Sequence, residues 1–125
     1  MATVLIVEDD TDTRDLFARM IARDGHDVRL AANGWEGLLA MESNVDLILL
    51  DIMMPGMDGV TFLKSLRGMR EGRNVPVVVI TAKDPVEVRA KVERHDVKAV
   101  IPKARGNLHQ GLSNIVETIL SDPHA

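Results

Sequence analysis

Glu8, Asp9 and Asp10 follow directly on the apolar run "VLIV", and Asp51 follows directly on "VDLILL". Carboxylates gain nothing from packing at the end of a buried strand, so these positions ask for a chemical reason. Acids brought together repel one another unless protons or a cation offset the charge. A hard divalent ion with oxygen ligands is the natural counter-charge, and Mg2+ typically takes one or two carboxylates, waters and a phosphate oxygen. Two more polar residues stand in comparable positions: Thr81 closes the run "VVVI" and Lys103 follows "VIP". A hydroxyl and an ammonium at the same rim can hold an anion beside the metal. The set suits a phosphoryl group lying on or next to a carboxylate, where catalysis is mostly positioning and neutralisation of charge.

Taken singly, each residue also has an ordinary role. Asp9 or Asp10 ahead of a helix reads as a cap, and Asp51 before Pro55 and Gly56 reads as a turn residue. Thr81 before a helix is commonplace, and a lone lysine such as Lys103 is usually solvated. Coincidence at four strand ends is what favours the joint reading.

The joint reading requires a fold that gathers those strand ends. Apolar runs rich in Val, Ile and Leu cover residues 4–7, 45–50, 77–80 and 97–101, with a weaker one at 28–32. Continuous apolar runs belong to strands buried on both faces, as in a parallel sheet covered by helices. Between them lie helical periods with caps. Thr11 or Asp12 starts a helix carrying Leu16, Phe17, Met20 and Ile21, which Gly25 stops. Asn33 caps a second helix, and Asp58 a third with Phe62, Leu66 and Met69. Asp84-Pro85 caps a fourth with Val88 and Val92. Asn107 opens a fifth with Leu108, Leu112, Ile115 and Ile119, closed by Asp122-Pro123. Five βα units with short connections predict a flavodoxin-like, doubly wound α/β fold with a five-stranded parallel sheet in the order 2-1-3-4-5. Such a sheet binds ligands at the carboxyl ends of its strands where the order reverses, here between the first and third. That brings Asp51 to the acids after the first strand.

The length of 125 residues fits one domain spanning 1–125, with a core over 3–120 and a polar tail at 121–125. Hydrophobic residues at 46% and charged residues at 27% are ordinary for a globular chain. A net charge of −4 without a basic stripe argues against nucleic acid as a direct partner. Cysteine is absent, which removes disulfide and thiolate chemistry. No run is long enough for a signal peptide or a membrane span, so the expectation is a cytoplasmic protein without a membrane partner. Met54 reads as core and Met57 as a turn cover. The four histidines lack ligand spacing, and the charged run at 83–98 reads as the wet face of the fourth helix.

The motifs "VLIVEDD", "LLDIMMPGMDG", "VVVITA" and "VIPK", in this order and spacing, resemble the receiver domain of two-component response regulators, and in size the stand-alone chemotaxis-type regulators. The resemblance runs from Thr3 to Leu120. It implies that Asp51 is the phosphoacceptor, taking a phosphoryl group from a histidine kinase or phosphotransfer protein as an acyl phosphate. It implies that Asp9 holds Mg2+ directly, Glu8 through water, and Met53 through its backbone carbonyl, with Asp51 completing the site. Thr81 and Lys103 match the pair that contacts phosphoryl oxygens. Asp10 receives no role in the chemistry. The implied function is a phosphorylation switch that alters binding to a downstream protein target. It is a phosphoacceptor rather than an enzyme, able at most to release its own phosphoryl group slowly.

Two positions depart from the family pattern. Val100 stands where Tyr or Phe is usual three residues before the lysine, and Ala104 stands where the lysine is usually followed by a proline with a cis bond. A cis bond to a non-proline residue costs roughly 2.5–4 kcal/mol, so Lys103-Ala104 is expected to be trans. Pro102 instead precedes the lysine, which suits an edge strand. Two rival functions stay open. One is a receiver-like interaction module independent of phosphorylation. The other is a phosphatase with an aspartate nucleophile, in which Met53 would stand where the general acid belongs.

Overall fold

The computed structural model describes residues 2–41, 44–103 and 108–121, the side chains of 108 and 109 excepted. Its elements alternate: β1 (Thr3–Val7), α1 (Thr11–Arg23), β2 (Asp27–Ala31), α2 (Gly34–Ala40), β3 (Leu47–Asp51), α3 (Gly59–Arg67), β4 (Val77–Thr81), α4 (Pro85–Val92), β5 (Ala99–Pro102) and α5 (Leu108–Ser121), with a 3-10 turn at Glu93–His95. All strand pairs are parallel and the order is β2-β1-β3-β4-β5, as the βα alternation predicts.

The apolar runs divide their side chains between two cores by simple alternation. Val4, Ile6, Leu47, Leu49, Val78 and Ile80 face Phe17, Met20 and Ile21 of α1 and Leu112, Val116 and Ile119 of α5. Leu5, Val7, Ile48, Leu50, Val77 and Val79 face Phe62, Leu63 and Leu66 of α3 and Val88 and Val92 of α4. Burying both faces of three central strands fixes the register, because a slip of one residue would exchange the two layers.

Side-chain caps set where each chain segment turns back. Asp10, Asn33, Asp58 and Asp84 accept from the backbone amides of Thr13, Glu36, Thr61 and Val86, each satisfying a donor the helix itself leaves open. β5 is an edge strand, and Pro102 lies at its end opposite Thr81. Proline has no amide hydrogen, and it is Lys103 N that donates to Thr81 O at 2.7 Å. No cis peptide bond occurs among the described residues. Ala104, Asn107 and the 122–125 tail lie outside them, so the expectations for the Lys103-Ala104 bond, the α5 cap and the tail find no counterpart here.

Gly59 shows why "MDG" follows the β3 turn. A Cβ there would lie 2.5 Å from Ile52 Cδ1 and 2.7 Å from Ile52 Cα, and Gly59 N donates to Ile52 O at 3.1 Å. The start of α3 therefore packs directly on the backbone next to Asp51. Gly59→Ala is expected to cost roughly 1–3 kcal/mol despite the better helix propensity of alanine. A urea midpoint equal to that of the parent chain would count against this packing.

Candidate functional site

The pairing of Val7 with Leu50 puts the next residues, Glu8 and Asp51, side by side at the carboxyl edge of the sheet. Both are buried, at 1% and 4% exposure, although both are acids. Asp9 is exposed beside them, and carboxylate oxygens of Glu8, Asp9 and Asp51 lie within 4.8 Å of one another. Asp10 turns away from this cluster. Its Oδ2 accepts from Thr13 N at 2.9 Å and Thr13 Oγ1 at 2.6 Å, which pins the first turn of α1. Those two bonds, helped by Lys103 and Arg14 and only partly opposed by burial, hold its carboxyl below the usual value.

Local bonds hold the acids in place. Arg14 Nη1 donates to the Glu8 carbonyl at 3.0 Å, and Asp10 N donates to Glu8 Oε2 at 3.3 Å. Met53 N donates to Asp51 Oδ1 at 3.1 Å, folding the half-exposed Met53 back over the strand end. Thr81 is fully buried, and its Oγ1 accepts from Lys83 N at 2.9 Å. Lys103 reaches across from β5, its Nζ 2.7 Å from Glu8 Oε1 and 3.5 Å from Asp51 Oδ2.

The charge balance is unfavourable as it stands. Burial, and then the adjacent Glu8, push the Asp51 carboxyl up to about 7, against the opposing pull of the Met53 amide and Lys103. Burial works to lower Lys103, but Glu8 and Asp51 outweigh it and the net direction is upward. Glu8 Oε1 is buried and accepts no hydrogen bond among the described residues; its 2.7 Å approach to Lys103 is an ion-pair contact without hydrogen-bond angles. Three carboxylates thus face one ammonium. That donor set, all hard oxygen, fits Mg2+.

The structure therefore gathers Glu8, Asp9, Asp51, Met53, Thr81 and Lys103 at one rim. Val100 lies apart from this group: it is half-buried in β5, pairs with Val79 and packs against the core under α2, α3 and α4. Sequence reasoning missed Arg14, whose only signal is a cation six residues after Glu8. It also missed that Lys103 already engages Glu8 directly.

Residues 4–113 match the response regulator receiver domain family. The chain belongs to that family. Receiver domains are the phosphoacceptor signalling domains of two-component systems, working between histidine kinases and downstream effectors. This receiver domain is 34% identical over 110 residues to the transcriptional regulatory protein AfsQ1 of Streptomyces coelicolor, covering 86% of this chain and 48% of that one. Among solved structures, Vibrio cholerae chemotaxis protein CheY4 matches with a TM-score of 0.87 at 25% identity, over 95% of this chain and 98% of that one. The receiver domain of the sensor histidine kinase PA1611 of Pseudomonas aeruginosa, solved with a magnesium ion in its active-site cleft, shares the fold at a TM-score of 0.86 and 24% identity. That match covers 97% of this chain and 98% of the other. The chain spans a third to a half of the length of the curated relatives it matches. Among the described residues, no helix is long and apolar enough to cross a membrane.

Proposed function

We propose that residues 1–125 act as a single receiver unit in which Asp51 accepts a phosphoryl group from a phosphohistidine donor and thereby changes how a protein target binds. One observation carries the reading: two buried acids, Glu8 and Asp51, cluster with Asp9 around a single lysine. A cluster built only for stability would not set three carboxylates against one ammonium. In the transfer, a carboxylate oxygen of Asp51 attacks phosphorus while the phosphorus–nitrogen bond of phosphohistidine breaks. The products are a mixed anhydride on Asp51 and a histidine imidazole that keeps the nitrogen lone pair.

Glu8, Asp9, Asp51 and the Met53 carbonyl would hold Mg2+, and carboxylate oxygens of the three acids lie within 4.8 Å of one another. When bound, the ion supplies positive charge to the acids and to the transferred group. Lys103 is already within reach of Asp51 and neutralises the charge arriving there. The Thr81 hydroxyl hydrogen is free to turn toward an incoming oxygen while its oxygen still accepts from Lys83 N. Upstream, the partner is a histidine kinase or phosphotransfer protein; downstream, a protein effector.

Incubation with acetyl phosphate and Mg2+ tests the reading by intact mass, with the gain of one phosphoryl group expected. Asp9→Asn should weaken Mg2+ binding by at least about tenfold, as losses in even the outer shell of metal sites commonly do. Because the same change removes a repelling charge, the metal-free melting temperature should hold or rise. Calorimetry reads the affinity; an unchanged value would remove Asp9 from the site. Trp35 lies on α2 and is 56% exposed, which makes its fluorescence a poor reporter of this metal.

A further inference from the structure

The two loops that frame Asp51 and Thr81 are also the walls of an open cleft of about 440 Å³, a size within the ~300–1,000 Å³ common for binding sites. Met53, Met54 and Val60 form one wall, and Val88 with Lys83 and Lys91 forms the other. Met54 and Val88 are nearly buried, while Met53 stays about half exposed. Methionine side chains adapt their shape to an apolar guest at little cost.

The lip of the cleft has a charge opposite to that of the protein. The whole chain carries −4, yet Lys83 and Lys91 are exposed and make no ion pair among the described residues. Asp58 is the one acid lining the cleft, and its Oδ1 is engaged by Thr61 N at 2.8 Å as the cap of α3. A guest entering here meets an apolar floor, two ammonium groups that form no ion pair among the described residues, and the single capping carboxylate of Asp58.

Both walls are tied to the phosphoacceptor site by single hydrogen bonds. Met53 N holds Asp51 Oδ1, and Lys83 N holds Thr81 Oγ1. Forming an anhydride on Asp51 changes the first acceptor's charge, and drawing Thr81 inward pulls on the second. The far end of α4 is clamped. Arg67 donates Nε to His95 O at 2.9 Å, Nη2 to Asp96 O at 3.0 Å, and Nη1 to Gly72 O at 2.9 Å and Val75 O at 2.6 Å. A pull on residues 82–85 would act on the amino end of α4, while the turn that follows its carboxyl end is held by Arg67. Val100, with no ring to swing and few rotamers, takes no part in this route.

We propose that this cleft is the surface on which phosphorylation is read, and that it takes an acidic, apolar segment of a partner protein. Large aliphatic side chains of the segment lie on Met53, Met54, Val60 and Val88, and flanking Asp or Glu side chains meet Lys83 and Lys91. The inference rests on Asp51 being the phosphoacceptor.

The test uses the full chain with labelled methionine and valine methyl groups, with and without the beryllofluoride–Mg2+ adduct that stands in for the phosphoryl group. The probe is a short synthetic peptide with two leucines flanked by glutamates, compared with versions carrying lysine for glutamate or serine for leucine. The acidic leucine peptide should shift the Met53, Met54 and Val88 signals and bind the adduct at least ~5-fold more tightly, a modest allosteric coupling. Both control peptides should bind weakly. Lys91→Glu and Val60→Glu should each weaken binding by roughly tenfold, about 1.4 kcal/mol, while acetyl phosphate still labels both variants. Absence of binding, equal affinity in the two states, or equal binding of the lysine peptide would overturn the proposal. So would shifts centred on Trp35 and Leu39, or shifts at the cleft produced by concentrating the protein alone, which would assign the cleft to a second copy. Failure of acetyl phosphate to label the parent chain is a separate result, directed at the phosphoacceptor reading itself.

Discussion

Asp51→Asn is expected to take up no phosphoryl mass from acetyl phosphate and Mg2+, under conditions in which the parent chain gains one group. Three features single out this carboxylate. It lies 3.5 Å from the Lys103 ammonium, within one cluster with Glu8 and Asp9, and the Met53 amide orients its Oδ1. Glu8 has a similar environment, but it lies deeper and already faces Lys103 at 2.7 Å. Asp9 is exposed and makes no ion pair among the described residues. Asparagine keeps the shape and one acceptor oxygen, so Met53 N retains its partner and the fold is preserved. The variant should also be the more stable protein above neutral pH, because a buried charge beside another acid has been removed. Undiminished labelling of Asp51→Asn would falsify the assignment and move the acceptor elsewhere in the cluster.

Much of this site was legible because it depends on strand ends, and strand ends are written in the apolar runs. The passage from "VLIV" to Glu8 and from "VDLILL" to Asp51 fixes both the burial of the strands and the exit of their last side chains at one edge. Parallel order then does the rest, since it sends all carboxyl ends the same way. Local chemistry was equally readable where it is short-range: the expected caps Asn33, Asp58 and Asp84 each bond an amide two or three residues on. What could not be read is long-range. The charged run at 83–98 looks like one helix face, yet α4 ends at Val92, a 3-10 turn follows, and Asp96 adopts φ 56. Arg67, distant in sequence, takes the carbonyls of His95 and Asp96, and Asp is among the few non-glycine types that tolerate that backbone region. Met69 continues the helical period of α3 but lies beyond its end at Arg67, packed against the core from the following turn. His26, which offered no ligand spacing, bridges to Glu117 of α5 at 2.7 Å across 91 positions. No periodicity encodes such a contact.

Without metal, stability should fall as pH rises through neutrality, and Lys103→Met should steepen the fall. Asp51 carries its proton up to about 7 in the folded chain, against an ordinary 3.8. Between those values the folded state binds more protons than the unfolded state, so the linkage slope is negative and raising the pH destabilises the fold. The stabilising contribution of the protonated acid is complete below 3.8 and lost as pH passes about 7, amounting to on the order of 4 kcal/mol if no other group responds. Lys103 stays charged throughout this window, since its own value is displaced upward. It is the only cation within ion-pair distance of Glu8 and Asp51 among the described residues. Removing one partner of a buried ion pair typically costs about 3–5 kcal/mol, because the remaining charge is left uncompensated. Lys103→Met keeps most of the apolar stem and deletes that compensation. Its deficit should be near that magnitude at pH 8 and shrink toward pH 5, where the proton on Asp51 removes one of the charges that the missing ammonium faced. Saturating Mg2+ should restore part of the loss at pH 8 by supplying another cation to the same oxygens. Urea unfolding of both proteins at the two pH values, with and without Mg2+, measures all three effects. A deficit that is the same at pH 5 and pH 8 would mean that Lys103 contributes packing rather than charge. The buried acids would then have to be balanced by something other than this lysine.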